Sequence, residues 1–127
     1  MKRSRPEQEI QRRVFEHLRF RGEKGVFAFH VPNGGKRALL EAVQFKKAGV
    51  VAGVPDVIAI KDGVTHALEL KAGKARKPSD AQIETIKKME TAGVRVAVAH
   101  SLDEALFTLE YWGLLRRDQN QREANHG

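Results

Sequence analysis

The sequence of 127 residues predicts one α/β domain, a mixed four-stranded sheet flanked by helices in the order αβαββαβα. Two observations predict this class. Segments with apolar residues at helical spacing alternate with short β-rich runs. An Asp-Gly dipeptide joins two of those runs, which is the strongest short-range signal for an antiparallel hairpin. The length suits a single compact domain, and a hydrophobic content of 41% is enough for a core.

The first half of the chain is predicted to hold two helices and one strand. Pro6 suits the first turn of a helix over 7–20, whose apolar residues recur three to four positions apart. A cluster of glycines ends that helix, and the β-rich run 26–31 follows as a strand. A turn leads to a second helix over 36–48, which ends at Gly49.

The second half opens with the hairpin, whose strands are the apolar runs 55–60 and 64–70. A basic loop separates it from the last three elements. These are a helix over 80–92 capped by Ser79, a strand over 94–100, and a helix over 101–113 capped by Ser101. We therefore expect the domain to span residues 1–113 and to be followed by a polar, flexible tail over 114–127.

The positive charge of the chain lies in its first half. The net charge is +7, and residues 1–50 hold twelve Lys or Arg against five Asp or Glu, whereas residues 51–127 hold eleven of each. This asymmetry favours a polyanionic partner, most often nucleic acid, although solubility alone explains it almost as well. The absence of cysteine excludes disulfides and thiolate metal sites and fits a cytoplasmic protein. The sequence has no apolar stretch long enough for a membrane span.

The hairpin brings two acids together. If the Asp-Gly dipeptide is the turn, the strands pair so that Asp56 falls opposite Glu69, and Lys71 shares their face. Facing carboxylates on a half-buried surface repel each other unless a cation offsets them, and hard oxygen ligands suit Mg²⁺ or Mn²⁺. An acid at a strand entrance and an exposed Glu–Lys pair would explain the same residues without a metal.

Two further polar residues lie on apolar helix stripes. Glu7 falls in the middle of the apolar stripe of the first helix, with Gln11 beside it. A shared metal site would stabilise this carboxylate, and so would the helix dipole. Gln82 falls on the apolar stripe of the third helix, where a capping box with Ser79 is an equally good explanation.

Together these residues resemble the PD-(D/E)XK nuclease superfamily, and more closely its VRR-NUC branch, the virus-type replication-repair nuclease domain. The shared motifs are a helical E-x-x-x-Q, a segment like HVPNGGKR at 30–37, G-x-P-D at 53–56, E-x-K at 69–71, and a helical glutamine. They cover residues 6–112. The resemblance implies a restriction-endonuclease-like core and metal-dependent hydrolysis of DNA phosphodiester bonds.

The resemblance also implies residue roles. Lys71 would orient or deprotonate the attacking water, and Gln82 would act in the site. Glu7 would join the metal directly or through a water. The metal ligands would be Glu7, Asp56, Glu69 and the backbone carbonyl of Leu70. The residues placed against DNA would be Gln11, the turn residues Asn33, Gly34, Gly35, Lys36 and Arg37, and the basic loop residues Lys74, Arg76 and Lys77. An ordinary turn and a solvated loop explain the last two groups as well.

The expected cofactor is Mg²⁺ or Mn²⁺, and the expected partner is structured DNA, either branched, junction or flap. Stand-alone family members resemble dimeric junction resolvases and include phage proteins, so we expect a homodimer in a bacterial cytoplasm. Trp112, Leu114 and Leu115 would supply an apolar dimer patch or close the core. With aromatics at 6% and none interleaved with basic residues, the sequence predicts no base-stacking platform. The alternatives are a non-catalytic nucleic-acid-binding module with this fold and an unrelated α/β domain.

Overall fold

The computed structural model describes residues 5–32 and 39–117, and its elements follow the predicted order. The boundaries differ from those predicted by one or two residues at most ends, as is usual where helices fray and strands leave the ladder. Residues 36–38, where the second helix was predicted to start, lie outside the described residues. The elements are α1 (Arg5–Arg21), β1 (Phe27–His30), α2 (Leu39–Lys47), β2 (Val57–Lys61), β3 (Val64–Leu70), α3 (Asp80–Thr91), β4 (Arg95–Ala99) and α4 (Leu102–Tyr111).

The four strands form one mixed sheet in the order β1-β2-β3-β4. The pairs β1–β2 and β2–β3 are antiparallel, and β3–β4 is parallel. In the hairpin Lys61 lies opposite Val64 and Val57 opposite Leu68, which confirms the predicted register. The turn residues Asp62 and Gly63 have φ values of 52° and 77°, the positive values that a type I′ turn needs.

The sheet has a core face and a site face, because side chains alternate along each strand. The core face carries Val57, Leu68 and Ala99, and α1 and α4 pack on it around Val14 and Leu109. The helix α3 packs on the site face. The residues of the site face are Phe27 and Phe29 on β1, Ile58 and Ile60 on β2, Thr65, Ala67 and Glu69 on β3, and Val96 and Val98 on β4.

The chain continues to build the core beyond residue 113, where the predicted domain ended. Leu114 and Leu115 are buried, and Leu115 pairs with Gly22 in an isolated β-bridge. Trp112 packs against the same core. These residues therefore close the core, which is one of the two roles expected for them. Residues 118–127, the rest of the predicted tail, lie outside the described residues.

A partly buried ion pair joins the C-terminal ends of α1 and α4. Arg21 lies 2.7 Å from the carboxylate of Glu110, and both side chains are 15% exposed. Arg21 also contacts the ring of His17 and the backbone carbonyl of Arg116. The two helices on the core face are thus tied at the end where the chain returns to the sheet. None of the described helices combines the length and apolar character needed to cross a membrane.

Candidate active site

The predicted acid pair lies where β3 ends and β2 begins. Asp56 and Glu69 are both buried, at 6% and 2% exposure. Asp56 immediately precedes β2, and its Oδ2 accepts a hydrogen bond of 2.8 Å from the backbone N–H of Leu70. Burial raises the pKa of Glu69 to about 8, repulsion from the Asp56 carboxylate adds to the shift, and the Lys71 ammonium partly opposes it.

Two cationic or polar groups meet one oxygen of Glu69. The Nζ of Lys71 lies 3.5 Å from Oε2 of Glu69, with the lysine side chain only 12% exposed. The Nε2 of Gln82 donates a hydrogen bond of 2.5 Å to the same oxygen. The other oxygen, Oε1, is buried without a hydrogen-bond partner among the described residues. A buried acceptor without a partner lowers the stability of the fold unless a further ligand binds to it.

Gln82 forms the predicted capping box and also contacts Glu69. Its backbone N–H donates to Ser79 Oγ, and its side-chain Oε1 accepts from the backbone N–H of Ser79, which is the predicted capping box. The amide nitrogen of the same side chain remains for Glu69. The cap of α3 therefore holds a hydrogen-bond donor against the acid pair.

Glu7 reaches this region from the opposite side of the sheet. It is buried at 3% exposure on α1, as its place on the apolar stripe predicted. Its Oε2 accepts from the backbone N–H of Ala72, just past β3, and lies 3.7 Å from Arg76. Within residues 5–32 and 39–117, no three Asp, Glu or His side chains form a group that could hold a metal ion. The predicted convergence of three acids is therefore not found, since α1 packs on the core face.

The loop before Asp56 is fitted to the start of α3. Gly53 has a φ of +81°, and a Cβ there would lie 2.7 Å from the carbonyl oxygen of Ala81 and 2.8 Å from the nitrogen of Gln82. Thr85 donates a hydrogen bond of 2.6 Å to the carbonyl of Ala52. This contact sets the distance between the loop that carries Asp56 and the helix that carries Gln82.

Sequence reasoning missed His30. Its Nδ1 lies 2.6 Å from the carbonyl oxygen of Asp56, so the end of β1 is tied to the acid pair. Its place at the end of a strand and its place in the segment 30–37 were the available signals, but the residue that it contacts is set by a long-range strand pairing. The ion pair of Arg76 with Glu7 was missed for the same reason.

The residues predicted to contact DNA fall into three groups. Asn33, Gly34, Gly35, Lys36 and Arg37 lie outside the described residues. Gln11 is half-buried on α1, one turn after Glu7. Lys74, Arg76 and Lys77 are exposed on the loop after β3. That loop is held in place by hydrogen bonds from Gly73 N–H to the His100 carbonyl and between the His100 ring and the Arg76 carbonyl.

The donor set fits a hard divalent cation. Mg²⁺ commonly takes one or two carboxylates and fills its other positions with water and phosphate oxygens, so it does not need three acids. Asp56 and Glu69 supply the carboxylates, and Glu69 Oε1 is a buried oxygen in need of a ligand. A cation bound here would lower the raised pKa of Glu69, because it would stabilise the charged form.

Comparison with known proteins identifies the fold. No protein-family model matches the sequence, and no curated protein matches it. Among solved structures, one described as a VRR_NUC domain protein superposes with a TM-score of 0.70 at 24% identity, over 92% of this chain and 96% of its own. Another, described as a VRR_NUC domain, gives 0.61 at 19% identity, over 86% and 99%. The chain therefore has the VRR-NUC fold, and the predicted fold class is confirmed.

Proposed function

We propose that this chain is a metal-dependent DNA endonuclease of the VRR-NUC type that hydrolyses phosphodiester bonds in branched, junction or flap DNA. The observation that carries the proposal is the buried pair Asp56–Glu69 beside Lys71 on this fold. Acids repel phosphate, so a site built only to bind DNA would gain nothing from them. A site that holds a cation between acids and phosphate would need them.

Asp56, Glu69 and the backbone carbonyl of Leu70 would hold the metal, Mg²⁺ or Mn²⁺. Glu7 would contribute through a water, since its carboxylate already accepts from Ala72 N–H. When bound, the metal would stabilise charge on the phosphate oxygens and lower the pKa of water.

The side chains around Glu69 would divide the remaining work. Gln82 donates a hydrogen bond to Oε2 of Glu69, which leaves Oε1 as the oxygen that would bind the cation. Lys71 would orient the attacking water or, as the neutral amine, take its proton; as an ammonium it would offset charge on the phosphate in the transition state. Its Nζ lies 3.5 Å from Glu69 Oε2, which supports a role at this site.

The exposed cations of the loop after β3 would contact the DNA backbone, together with the basic turn at 33–37. The protein would act as a homodimer in the cytoplasm and select DNA by its shape. The resemblance to VRR-NUC proteins is the reason to expect the homodimer, the cytoplasmic location and the selection of DNA by shape.

The test is cleavage of labelled four-way junctions, flaps, nicked duplexes and single strands with Mg²⁺ or Mn²⁺. Asp56→Asn, Glu69→Gln and Lys71→Ala should each lower cleavage at least about 100-fold while junction binding persists, because each removes a group of the acid site. Lys88→Ala, which removes an exposed lysine on α3, is the matched control and should cut normally.

Two outcomes would contradict the proposal. Normal cutting by Lys71→Ala would remove the role assigned to that lysine. Binding of these DNAs without cutting in either metal would indicate the non-catalytic nucleic-acid-binding module.

A further inference from the structure

The edge strand β1 exposes a pair of aromatic rings on the site face. Phe27 and Phe29 are 65% and 36% exposed, and their ring centroids lie 5.5 Å apart. In the described sheet β1 pairs only with β2. Edge strands are ordinarily protected by charged residues, so an exposed aromatic pair on an edge strand next to a polar site is a candidate binding surface.

This ring pair, which we call the β1 platform, lies beside the acid pair. Phe29 is opposite Ile58, and Ile58 is two residues along from Asp56. One strand spacing and two residues along a strand place the Cα atoms of Phe29 and Asp56 about 8 Å apart. Phe27 lies about 7 Å further along the strand. The contact of His30 with the Asp56 carbonyl fixes β1 at this distance.

We infer that the β1 platform stacks an unpaired nucleobase of the DNA next to the bond that the acid pair would cut. This inference rests on the proposed function and adds a binding subsite to it. It revises the expectation, drawn from the sequence, that no base-stacking platform exists. Short-range sequence patterns could not show it, because the neighbourhood of Phe29 and Asp56 comes from the β1–β2 pairing.

Position and chemistry both favour a nucleobase as the occupant. The platform lies about 8 Å from Asp56 on the same face of the sheet, where the proposed function brings the DNA strand. Every base has a π-face that stacks on an aromatic side chain without regard to sequence. In a duplex those faces are covered by neighbouring bases, so the platform would select DNA with unpaired bases near the cut.

The experiment uses the full chain in chelator, where binding is separated from cutting. The probes are a flap DNA carrying 2-aminopurine in the unpaired strand and the same strand fully paired. Phe29→Ala and Phe27→Ala should raise the Kd for the flap by about 5- to 150-fold and abolish the fluorescence change, with little effect on the paired probe. Phe29→Trp should retain both properties, whereas Phe29→Leu should not.

The control is the second exposed aromatic pair, Phe107 and Tyr111 on α4, whose ring centroids lie 6.5 Å apart. The helix α4 packs on the core face, so Phe107→Ala and Tyr111→Ala should bind both probes like the wild type. Thermal melts of every variant would show that folding is retained.

Three results would overturn the inference. The first is flap binding and a fluorescence change that are both unaltered in Phe29→Ala. Cutting by the wild type would then still support the proposed nuclease. The second is wild-type flap binding and fluorescence in Phe29→Leu, which would show that the side chain makes apolar contact with the DNA without stacking on a base. A loss of dimer mass in Phe27→Ala or Phe29→Ala, with DNA binding unchanged, would assign the platform to contact between copies. Failure of the wild type to bind any DNA, both in chelator and with a divalent cation present, would remove both proposals.

Discussion

At the scale of single residues, Glu69 shows how surroundings change a common side chain. Its carboxyl has an ordinary pKa of 4.5, and burial next to Asp56 raises the folded-state pKa to about 8. Between these values the folded protein binds more protons than the unfolded chain, so ionisation opposes folding. The ionised form that a metal needs is thus the form that the metal-free fold disfavours.

A pH dependence follows for the protein in chelator. The stabilising effect of the neutral Glu69 is fully present below about pH 4.5 and is lost as the pH rises through about 8. The free energy of unfolding should fall across this window with a slope of up to about 1.4 kcal/mol per pH unit. Glu69→Gln, which cannot ionise, should flatten the slope in chemical denaturation at several pH values. An equally steep fall in Glu69→Gln would assign the effect to another group.

Gln82 has two functions that substitutions can separate. Ser79→Ala removes the hydroxyl of the cap and should cost about 1 kcal/mol of stability with little loss of cleavage, because the Gln82 side chain still reaches Glu69. Gln82→Ala should cost a similar amount of stability and lower kcat at least about tenfold, since it frees Glu69 Oε2. Thermal melts and cleavage rates measure the two effects. Equal losses of kcat in both variants would show that the cap alone matters.

At the scale of elements, the loop before β2 and the first turn of α3 behave as one unit. Gly53 approaches the α3 backbone so closely that it leaves no room for a side chain, and Thr85 holds the loop from the second turn of the helix. The distance between the Asp56 loop and Gln82 is set by this backbone contact. A substitution at this contact should therefore change the geometry of the acid pair without removing any of its side chains.

Gly53→Ala tests this contact. Its positive φ alone should cost roughly 1–3 kcal/mol, and the overlap with the α3 backbone should add to that cost and shift the helix. Gly63→Ala is the matched control, because Gly63 has a similar φ of +77° and nothing within 4 Å of the added Cβ. Denaturant melts and cleavage rates should show the greater loss in Gly53→Ala. Equal losses of stability and cleavage in the two variants would mean that backbone strain at a positive φ, and not the contact with α3, causes the loss.

At the scale of the whole molecule, the segment after α4 completes the core between α1 and the sheet. Leu114 is fully buried, and the backbone N–H of Glu23 donates to its carbonyl. Arg116 N–H donates to the Arg21 carbonyl in the same way. The C-terminal end of α1 and the segment after α4 are thereby joined, which helps to fix α1, the helix that carries Glu7, against the sheet.

Leu114→Ala should therefore destabilise the protein by about 2–5 kcal/mol, because it leaves a cavity in the core. Phe107→Ala on the exposed side of α4 should change stability by less than about 0.5 kcal/mol. Equilibrium denaturation measures both. A small effect of Leu114→Ala would return residues 114–117 to the predicted tail.

Much of the fold and part of the site were determined by the sequence alone, because they depend on contacts a few residues apart. The Asp-Gly turn fixed the hairpin register, and the register placed Asp56 beside Glu69 with Lys71 close by. The caps at Ser79 and Ser101 and the burial of Glu7 followed from local spacing in the same way.

Only the tertiary structure decided which distant segments meet. It placed Glu7 on the far side of the sheet from Gln82, tied His30 to Asp56, brought Leu114 into the core, and set Phe29 beside the acid pair. Each of these contacts joins segments that are far apart along the chain. Their pairing is chosen by the packing of whole helices and strands on the sheet, and the spacing of residues within one segment carries no information about it.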